Sequence, residues 1–325
     1  MDSVSALFLF KKLRRNNCPK GLNCVIISKI LLFESLAMKK SYLYAAIAIF
    51  FWSTTTPVSK LLLHSITTIQ VLAVSSTFAT VFLALVNWKK GNFAQIKRYQ
   101  PRDYLILLGV GFLGMFAYRL LLFRGVALML ASQAMIVNYL WPIMAVLAGC
   151  VILKEKLTIR KAIAAVMSFA GVIIVTTGGD LTTLTGSNLT GTCYCAVAAV
   201  FYGVFVAINK GLKYDSFVSM MFYNGVAAVC AIFLAVAGGQ PLLLTLPQNL
   251  GLVWVGVCNT AIGFVAWDVA MKSGDTAKVA NLAYITPFLS LVVAYFLLGD
   301  PITIWSVGGL VVIVAGILLQ LKDAK

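Results

Sequence analysis

Stretches of about 20 apolar residues recur along most of the chain, and each is long enough to cross the ~30 Å hydrocarbon core of a bilayer. The composition agrees: 61% of the 325 residues are hydrophobic and only 11% are charged. Soluble domains carry roughly 25% charged residues. The sequence therefore predicts an all-α membrane protein whose surface mostly faces lipid.

Ten such spans can be placed, and polar turns separate several of them. The predicted spans are 42–61, 68–87, 104–123, 131–153, 159–177, 191–209, 216–236, 251–270, 279–298 and 302–320.

The basic residues, which give a net charge of +16, are distributed unevenly between the two sides of the predicted membrane. With the first span starting inside, 17 of the 26 lysines and arginines fall on the inner side. The outer side has only Lys60, Arg119 and Arg124, all within or at the ends of spans. This asymmetry marks the cytoplasmic face and is not a nucleic-acid-binding signal. It predicts an inner-membrane protein with both termini in the cytoplasm.

Residues 1–37 do not fit the pattern of spans. The apolar run 22–36 is short and contains Lys29 and Glu34, and no small-residue cleavage site follows it. Met38, followed by two lysines, opens the first span as an initiator usually does, so it is the favoured start of translation. The alternative is a disordered or interfacial basic tail.

The second half of the chain repeats the first. Tyr139, Pro142 and Gly171 match Tyr284, Pro287 and Gly316 at a spacing of 145, and Phe51 and Lys60 match Phe201 and Lys210 at a spacing of 150. Each copy contains five spans, an odd number, so the second copy enters the membrane in the opposite orientation. We therefore expect an N-terminal extension (1–37) and two inverted five-helix repeats (38–177 and 178–325). Inverted repeats place the substrate site of many transporters near the midplane; a repeat protein that transports nothing is the alternative.

Polar side chains inside spans are costly unless they face a cavity or one another, so they indicate a possible pathway. In the first span, Trp52 and Thr55 belong to a polar run that either lines a kinked cavity wall or packs small residues between helices. Tyr118 and Arg119 lie near the outer end of the third span. Arg119 can bind a carboxylate through two hydrogen bonds, or it can extend to the outer headgroups.

The fourth and ninth spans contain prolines at matching repeat positions, Pro142 and Pro287. Interrupted helices at equivalent places in the two halves point to a binding region. The nearby residues that offer stacking surfaces or hydrogen-bonding groups are Asn138, Tyr139, Trp141, Asn281 and Tyr284. The alternative is an aromatic packing cluster around structural kinks.

Asp268 is the only one of the ten acids that falls inside a predicted span, near its cytoplasmic end. Proton-coupled carriers usually keep an ionisable acid in their pathway, which makes Asp268 the candidate coupling residue. It can instead be an interfacial residue paired with Lys272, one turn further along. Facilitated diffusion or exchange would need no such acid.

Other function classes find little support in the sequence. The chain has one histidine, no cysteine–histidine spacing typical of a metal site, and no phosphate-binding loop of a nucleotide-driven motor. We expect no enzyme activity and no cofactor or metal. The expected partners are a small-molecule substrate and membrane lipids, and no residue pattern indicates an oligomeric state.

Four short motifs carry a resemblance to a known family: Phe51-Trp52-Ser53-Thr54, Asn138-Tyr139-Leu140-Trp141-Pro142, Ala266-Trp267-Asp268 and Tyr284-Ile285-Thr286-Pro287. Over about residues 42–320 the chain resembles the drug/metabolite transporter superfamily and its EamA-type branch, and the motifs are similar to those of YddG-type aromatic amino-acid exporters. The resemblance implies a basket of helices around a central cavity, with alternating access. It places these residues at or near the cavity: Trp52, Asn138, Tyr139, Trp141, Trp267 and Tyr284.

Two residues depart from that pattern, because Asp268 stands where asparagine is expected and Arg119 is an addition. Both bear on the substrate, since charge in a pathway changes which molecules pass. The leading hypothesis is an exporter of amino acids, with aromatic ones as first candidates, or of related metabolites. The alternatives are a broad exporter of drugs or organic solutes and, in another class, a non-transporting scaffold or receptor.

Overall fold

The computed structural model describes residues 40–152, 154, 158–180, 186–273 and 282–320, and all regular elements in these ranges are helices. We number the long ones α1 to α10. Their bounds are α1 Lys40–Leu63, α2 Thr68–Lys89, α3 Pro101–Leu128, α4 Ala131–Ile152, α5 Ile159–Thr177, α6 Gly186–Lys210, α7 Ser216–Ala237, α8 246–273, α9 Ile285–Leu298 and α10 Ile304–Gln320. A short helix, Phe93–Ile96, precedes α3.

Every predicted span overlaps one of these helices, and most ends agree within a few residues. The helices α1 to α8 each contain a segment long and apolar enough to cross a membrane. The described parts of α9 and α10 are equally apolar but shorter. The predicted ninth span begins at residue 279, in a stretch outside the described residues.

Side chains at the helix starts satisfy backbone N–H groups that have no partner within the helix. Thr67 and Gln70 form a reciprocal capping box at the start of α2. Asp215 caps α7, where its Oδ1 accepts hydrogen bonds from the backbone of Phe217 at 2.9 Å and Val218 at 3.1 Å. Apolar composition alone does not determine where a helix begins, and these caps set the first residues of α2 and α7.

Several helices lose regular geometry in their middle parts. The segments Phe112–Ala117 of α3 and Trp254–Ile262 of α8 are π-helical. Helix α4 has a turn at Tyr139 and Leu140, just before Pro142, and α1 has a turn at Thr54, before Pro57. Proline lacks an N–H and so interrupts the hydrogen-bond ladder, while π-helical turns often mark functional sites.

The helices pack in pairs around two apolar cores. Helix α2 packs on α7, α5 on α10, α6 on α3 and α4, and α1 on α9. One core joins α3, α4, α5, α6, α9 and α10, and the other joins α1, α2, α3, α6, α7 and α8.

The outer surface remains strongly apolar. Phe233 is 70% exposed, Leu105 69% and Phe296 80%. Exposed apolar surface on this scale is rare on soluble monomers and indicates contact with lipid. The protein is therefore a multi-pass membrane protein.

Candidate functional site

A cavity of about 80 Å³ lies where α1, α3, α4, α6, α8 and α9 meet. That volume holds several water molecules. Its lining residues are Trp52, Thr55, Thr56, Met115, Tyr118, Arg119, Leu122, Phe123, Met135, Asn138, Tyr139, Trp141, Tyr202, Asn259, Thr260, Phe264 and Thr286. The lining thus combines large aromatic rings with a few polar groups, which is typical of small-molecule sites.

An aromatic cluster forms much of the wall. The rings of Tyr118 and Tyr202 stack with centroids 4.5 Å apart, and Trp141 meets Tyr202 edge to face at 5.2 Å. The cluster continues through Phe264, whose ring centroid lies 6.4 Å from that of Tyr202 and which meets Trp52 edge to face at 5.2 Å. Such pairs hold one another in place and give the cavity an aromatic wall.

A hydrogen-bonded group joins α1 to α8 along one side of the cavity. The Asn259 amide nitrogen donates to Thr55 Oγ1 at 3.1 Å, and Thr54 Oγ1 donates to Asn259 Oδ1 at 3.2 Å. Trp254 Nε1 donates to Thr54 Oγ1 at 2.9 Å. Asn259 therefore links the turn in α1 to the π-helical segment of α8, and its side chain is used for structure.

Arg119 is buried, with only 5% of its surface exposed. Its two terminal nitrogens donate to Ser76 Oγ at 3.1 Å and Ser75 Oγ at 3.0 Å, both on α2. The Phe123 ring centroid lies 5.3 Å from the guanidinium carbon. Of the two sequence-based interpretations, extension to the headgroups is wrong, because the side chain points into the helix bundle and lines the cavity.

Three polar atoms at the cavity lack a hydrogen-bond partner among the described residues: Trp52 Nε1, Asn138 Oδ1 and Thr286 Oγ1. Trp52 Nε1 is a buried donor without an acceptor, and Asn138 Oδ1 is a buried acceptor without a donor. The other end of the Asn138 amide donates to the Tyr118 hydroxyl at 3.3 Å. Buried polar atoms in native proteins are nearly always paired, so these three are available for a ligand or for water.

Most of the predicted site residues reach the cavity. Those that line it are Trp52, Thr55, Tyr118, Arg119, Asn138, Tyr139 and Trp141. The Tyr139 hydroxyl, however, donates to the backbone carbonyl of Ala283, which Pro287 cannot serve as a donor and which also accepts from the Thr286 N–H at 3.0 Å. Its polar end is thus occupied, and only its ring faces the cavity.

Two predicted residues lie behind the lining. Trp267 packs against Trp52 with ring centroids 5.3 Å apart, and Tyr284 packs against Tyr139 at 6.5 Å. Both support a lining ring instead of facing the cavity themselves. Asn281 lies outside the described residues, and so does the side chain of Asp268, although its backbone belongs to α8.

Sequence reasoning missed Tyr202 and Phe264 as lining residues. The repeat contains a signal for the first: the spacing of 150 that pairs Phe51 with Phe201 also pairs Trp52 with Tyr202. Phe264 has no comparable signal, because an isolated phenylalanine in an apolar span is indistinguishable from a core residue.

Comparison with known families agrees with this architecture. Residues 39–177 and 189–321 both match the EamA-like transporter family. The chain belongs to this family and is a membrane transporter.

Individual relatives are distant but extensive. An uncharacterized transporter of Clostridium kluyveri is 25% identical over 89% of this chain and 95% of its own length. A probable terminal-alkyne amino-acid exporter of Streptantibioticus cattleyicolor is 28% identical over 75% of this chain and 80% of its length. The aromatic amino acid exporter YddG of Ancylobacter novellus is 29% identical over 58% of this chain and 66% of its length.

A solved crystal structure shares the fold. It covers 88% of this chain and 98% of its own, with a TM-score of 0.62 and 21% sequence identity. At that identity the match supports the fold alone.

Proposed function

We propose that this protein is a secondary transporter of the inner membrane that exports amino acids, aromatic ones in particular, or related metabolites by alternating access. The observation that carries the proposal is the cavity where helices of both halves meet, with its stacked wall of Tyr118, Tyr202 and Trp141. The relatives named as amino-acid exporters support the same substrate class. Neither the cavity nor the family suggests catalysis.

The packing of the helices supports ten spans in two inverted repeats, 38–177 and 178–325. In such a repeat, α1 to α5 correspond in order to α6 to α10. The contact of α3 with α7 then has an equivalent in the contact of α8 with α2, and both contacts are present. The corresponding helices α3 and α8 are both π-helical in their middle parts. The turn before Pro142 in α4 has its counterpart at Ala283 and Tyr284, just before α9.

Close backbone approaches repeat in the same way. A Cβ atom on Gly111 of α3 would lie 2.8 Å from the Cα atom of Tyr223 on α7. At a spacing of 145, Gly256 of α8 approaches the Ser75 backbone on α2 even more closely. Two equivalent halves around one cavity are the arrangement by which many transporters alternate access. The excess of basic residues on one side supports placing both termini in the cytoplasm.

Transport is tested with purified protein in proteoliposomes. Counterflow of labelled phenylalanine and tryptophan is expected to be saturable. Absence of saturable flux with folded protein would contradict the amino-acid proposal. Better competition by a cationic dye than by amino acids would favour the broad organic-solute exporter. A pH gradient added across the same vesicles tests proton coupling and the role of Asp268.

Trp141→Leu is expected to lower the rate of phenylalanine counterflow at limiting substrate by at least about tenfold, because one stacking ring of the cavity is lost. The matched control is Trp88→Leu, since Trp88 is also helical but is 68% exposed and far from the lining. Both variants are first checked for a monodisperse elution profile in detergent. Equal activity of the two variants would remove Trp141 from the binding site.

A further inference from the structure

We propose that Arg119 anchors the carboxylate of the substrate, and that the site selects aromatic carboxylates whether or not they carry an amino group. This inference rests on the proposed transport function and names the substrate class of the same cavity. It departs from a simple amino-acid site, because it makes the acid group essential and the amine dispensable.

The first argument is the unbalanced charge of Arg119. Its guanidinium has five N–H donors, and two of them donate to the hydroxyls of Ser75 and Ser76. Among the carboxylates that the structure describes, none pairs with Arg119. A buried cation without a counter-ion is costly, and a ligand carboxylate would remove that cost.

The second argument is the fixed orientation of the guanidinium. The two serine hydroxyls hold the terminal nitrogens from the α2 side, and the Phe123 ring lies 5.3 Å from the guanidinium carbon. Three N–H groups thus have no acceptor in the described part of the chain. A planar guanidinium held in this way can bind a carboxylate through two parallel hydrogen bonds.

The third argument comes from the other unpartnered atoms. Trp52 Nε1 is a second donor suited to a carboxylate oxygen. Asn138 Oδ1 and Thr286 Oγ1 are the unpartnered atoms of the described lining that an amino group could use as acceptors, and neither carries a charge. Arg119 is the only charged side chain among the described lining residues. The acid group therefore meets a full positive charge, whereas the amino group meets only a neutral amide and a neutral hydroxyl.

The stacked rings of Tyr118 and Tyr202 complete the site with an apolar wall. Tyr118 links the two parts, because its neighbour in sequence is Arg119 and its hydroxyl accepts from the Asn138 amide. A ligand with a carboxylate a few bonds from an aromatic ring would fit both features.

The test uses three compounds that share one ring and differ in charge: phenylalanine, 3-phenylpropionate and phenethylamine. Binding to the purified full-length protein is followed by intrinsic tryptophan fluorescence, and transport is followed separately as competition with labelled phenylalanine uptake. We expect 3-phenylpropionate to bind within about tenfold of phenylalanine and phenethylamine to bind at least about 100-fold more weakly, because charge-assisted bidentate bonds are the stronger kind. Equal binding of phenethylamine and 3-phenylpropionate would overturn the proposal.

Variants of Arg119 provide the second arm. Arg119→Gln should abolish the preference for 3-phenylpropionate over phenethylamine, and Arg119→Lys should retain part of it because the charge remains. The matched control is Arg124→Gln, five residues further along α3, where the side chain is exposed and should leave the preference unchanged. An unchanged preference in a folded Arg119→Gln variant would also overturn the proposal.

The two proposals fail in distinguishable ways. Binding that depends on the carboxylate, without flux of any compound, would keep the anchor and refute the transport function. Saturable flux of all three compounds with equal binding would keep the transport function and refute the anchor.

Discussion

Replacing Gly256 with alanine is expected to destabilise the protein by about 3 kcal/mol or more, at the upper end of what overpacking costs. A Cβ atom at this position would overlap the carbonyl oxygen of Ser75 and lie 3.0 Å from its carbonyl carbon. Both atoms belong to the backbone of α2, so no rotamer change relieves the overlap. The two helices would have to separate.

Intrinsic helix propensity favours alanine over glycine, so a loss of stability can be assigned to the steric overlap. Alanine is favoured over glycine in a helix by about 1 kcal/mol, so a variant without a clash should be at least as stable as the parent. Gly308→Ala is the matched control, because Gly308 lies inside α10 and a Cβ atom added there would meet nothing within 4 Å. Unfolding of both variants is measured by denaturant titration in detergent micelles.

The Gly256 substitution should also affect the cavity. Ser75 holds one terminal nitrogen of Arg119, so moving α2 away from α8 would disturb the orientation of the guanidinium. A Gly256→Ala variant as stable as Gly308→Ala would show that the contact between α2 and α8 is looser than the structure indicates.

The sequence predicted the positions of the helices well because bilayer thickness and basic loops impose strong constraints. It predicted the helix ends less well. Helix α8 extends from 246 to 273, beyond the predicted 251–270. The backbone hydrogen bonds of the helix continue through polar residues at both ends of the apolar stretch. The π-helical segments have no sequence signal of their own.

The sequence predicted only part of the site. Polar and aromatic residues near prolines identified Asn138, Tyr139 and Trp141, since such residues are rare in lipid-facing helices. The sequence does not determine which side of a helix faces the cavity. Trp267 and Tyr284 therefore lie one layer behind the lining residues, while Tyr202 lies at the centre of the cluster.

The sequence could not determine whether the Arg119 side chain is buried, because its contacts come from a distant helix. Its position about one turn from the predicted end of a span allowed either extension to the headgroups or burial. The serines that bind it come from α2, more than 40 residues earlier in the chain. No local pattern encodes that contact.

Lys60→Met is expected to lower the free energy of unfolding by about 2–3 kcal/mol, the upper range for hydrogen bonds to a charged group. Lys60 Nζ donates to three backbone carbonyls at the C-terminal end of α3, those of Val126 at 2.9 Å, Ala127 at 3.0 Å and Met129 at 2.9 Å. The last carbonyls of a helix have no partner within it, and a cation there also interacts favourably with the helix dipole. Methionine keeps the length of the side chain but satisfies none of them.

Asp300 binds the start of α4, just after the end of α3 that Lys60 binds. It is 7% exposed, and its Oδ2 accepts from the backbone N–H of Ser132 at 3.0 Å and from the Ser132 hydroxyl at 2.9 Å. Lys60 and Asp300 thus hold the end of α3 and the start of α4 from different parts of the chain. Asp300→Asn should cost less than Lys60→Met, because both bonds go to Oδ2 and an amide oxygen in its place has two lone pairs that still accept them, so only the charge is lost.

A double-mutant cycle with denaturant titration in micelles measures both effects and their coupling. Lys213→Met is the matched control, since Lys213 is exposed and lies in the turn between α6 and α7. The double variant should lose less than the sum of the single losses if the two side chains stabilise one shared connection, because the first substitution already loosens what the second would release. Strict additivity would show that the two helix ends are held independently, and a Lys60→Met variant as stable as Lys213→Met would show that water replaces the lysine at the three carbonyls without cost.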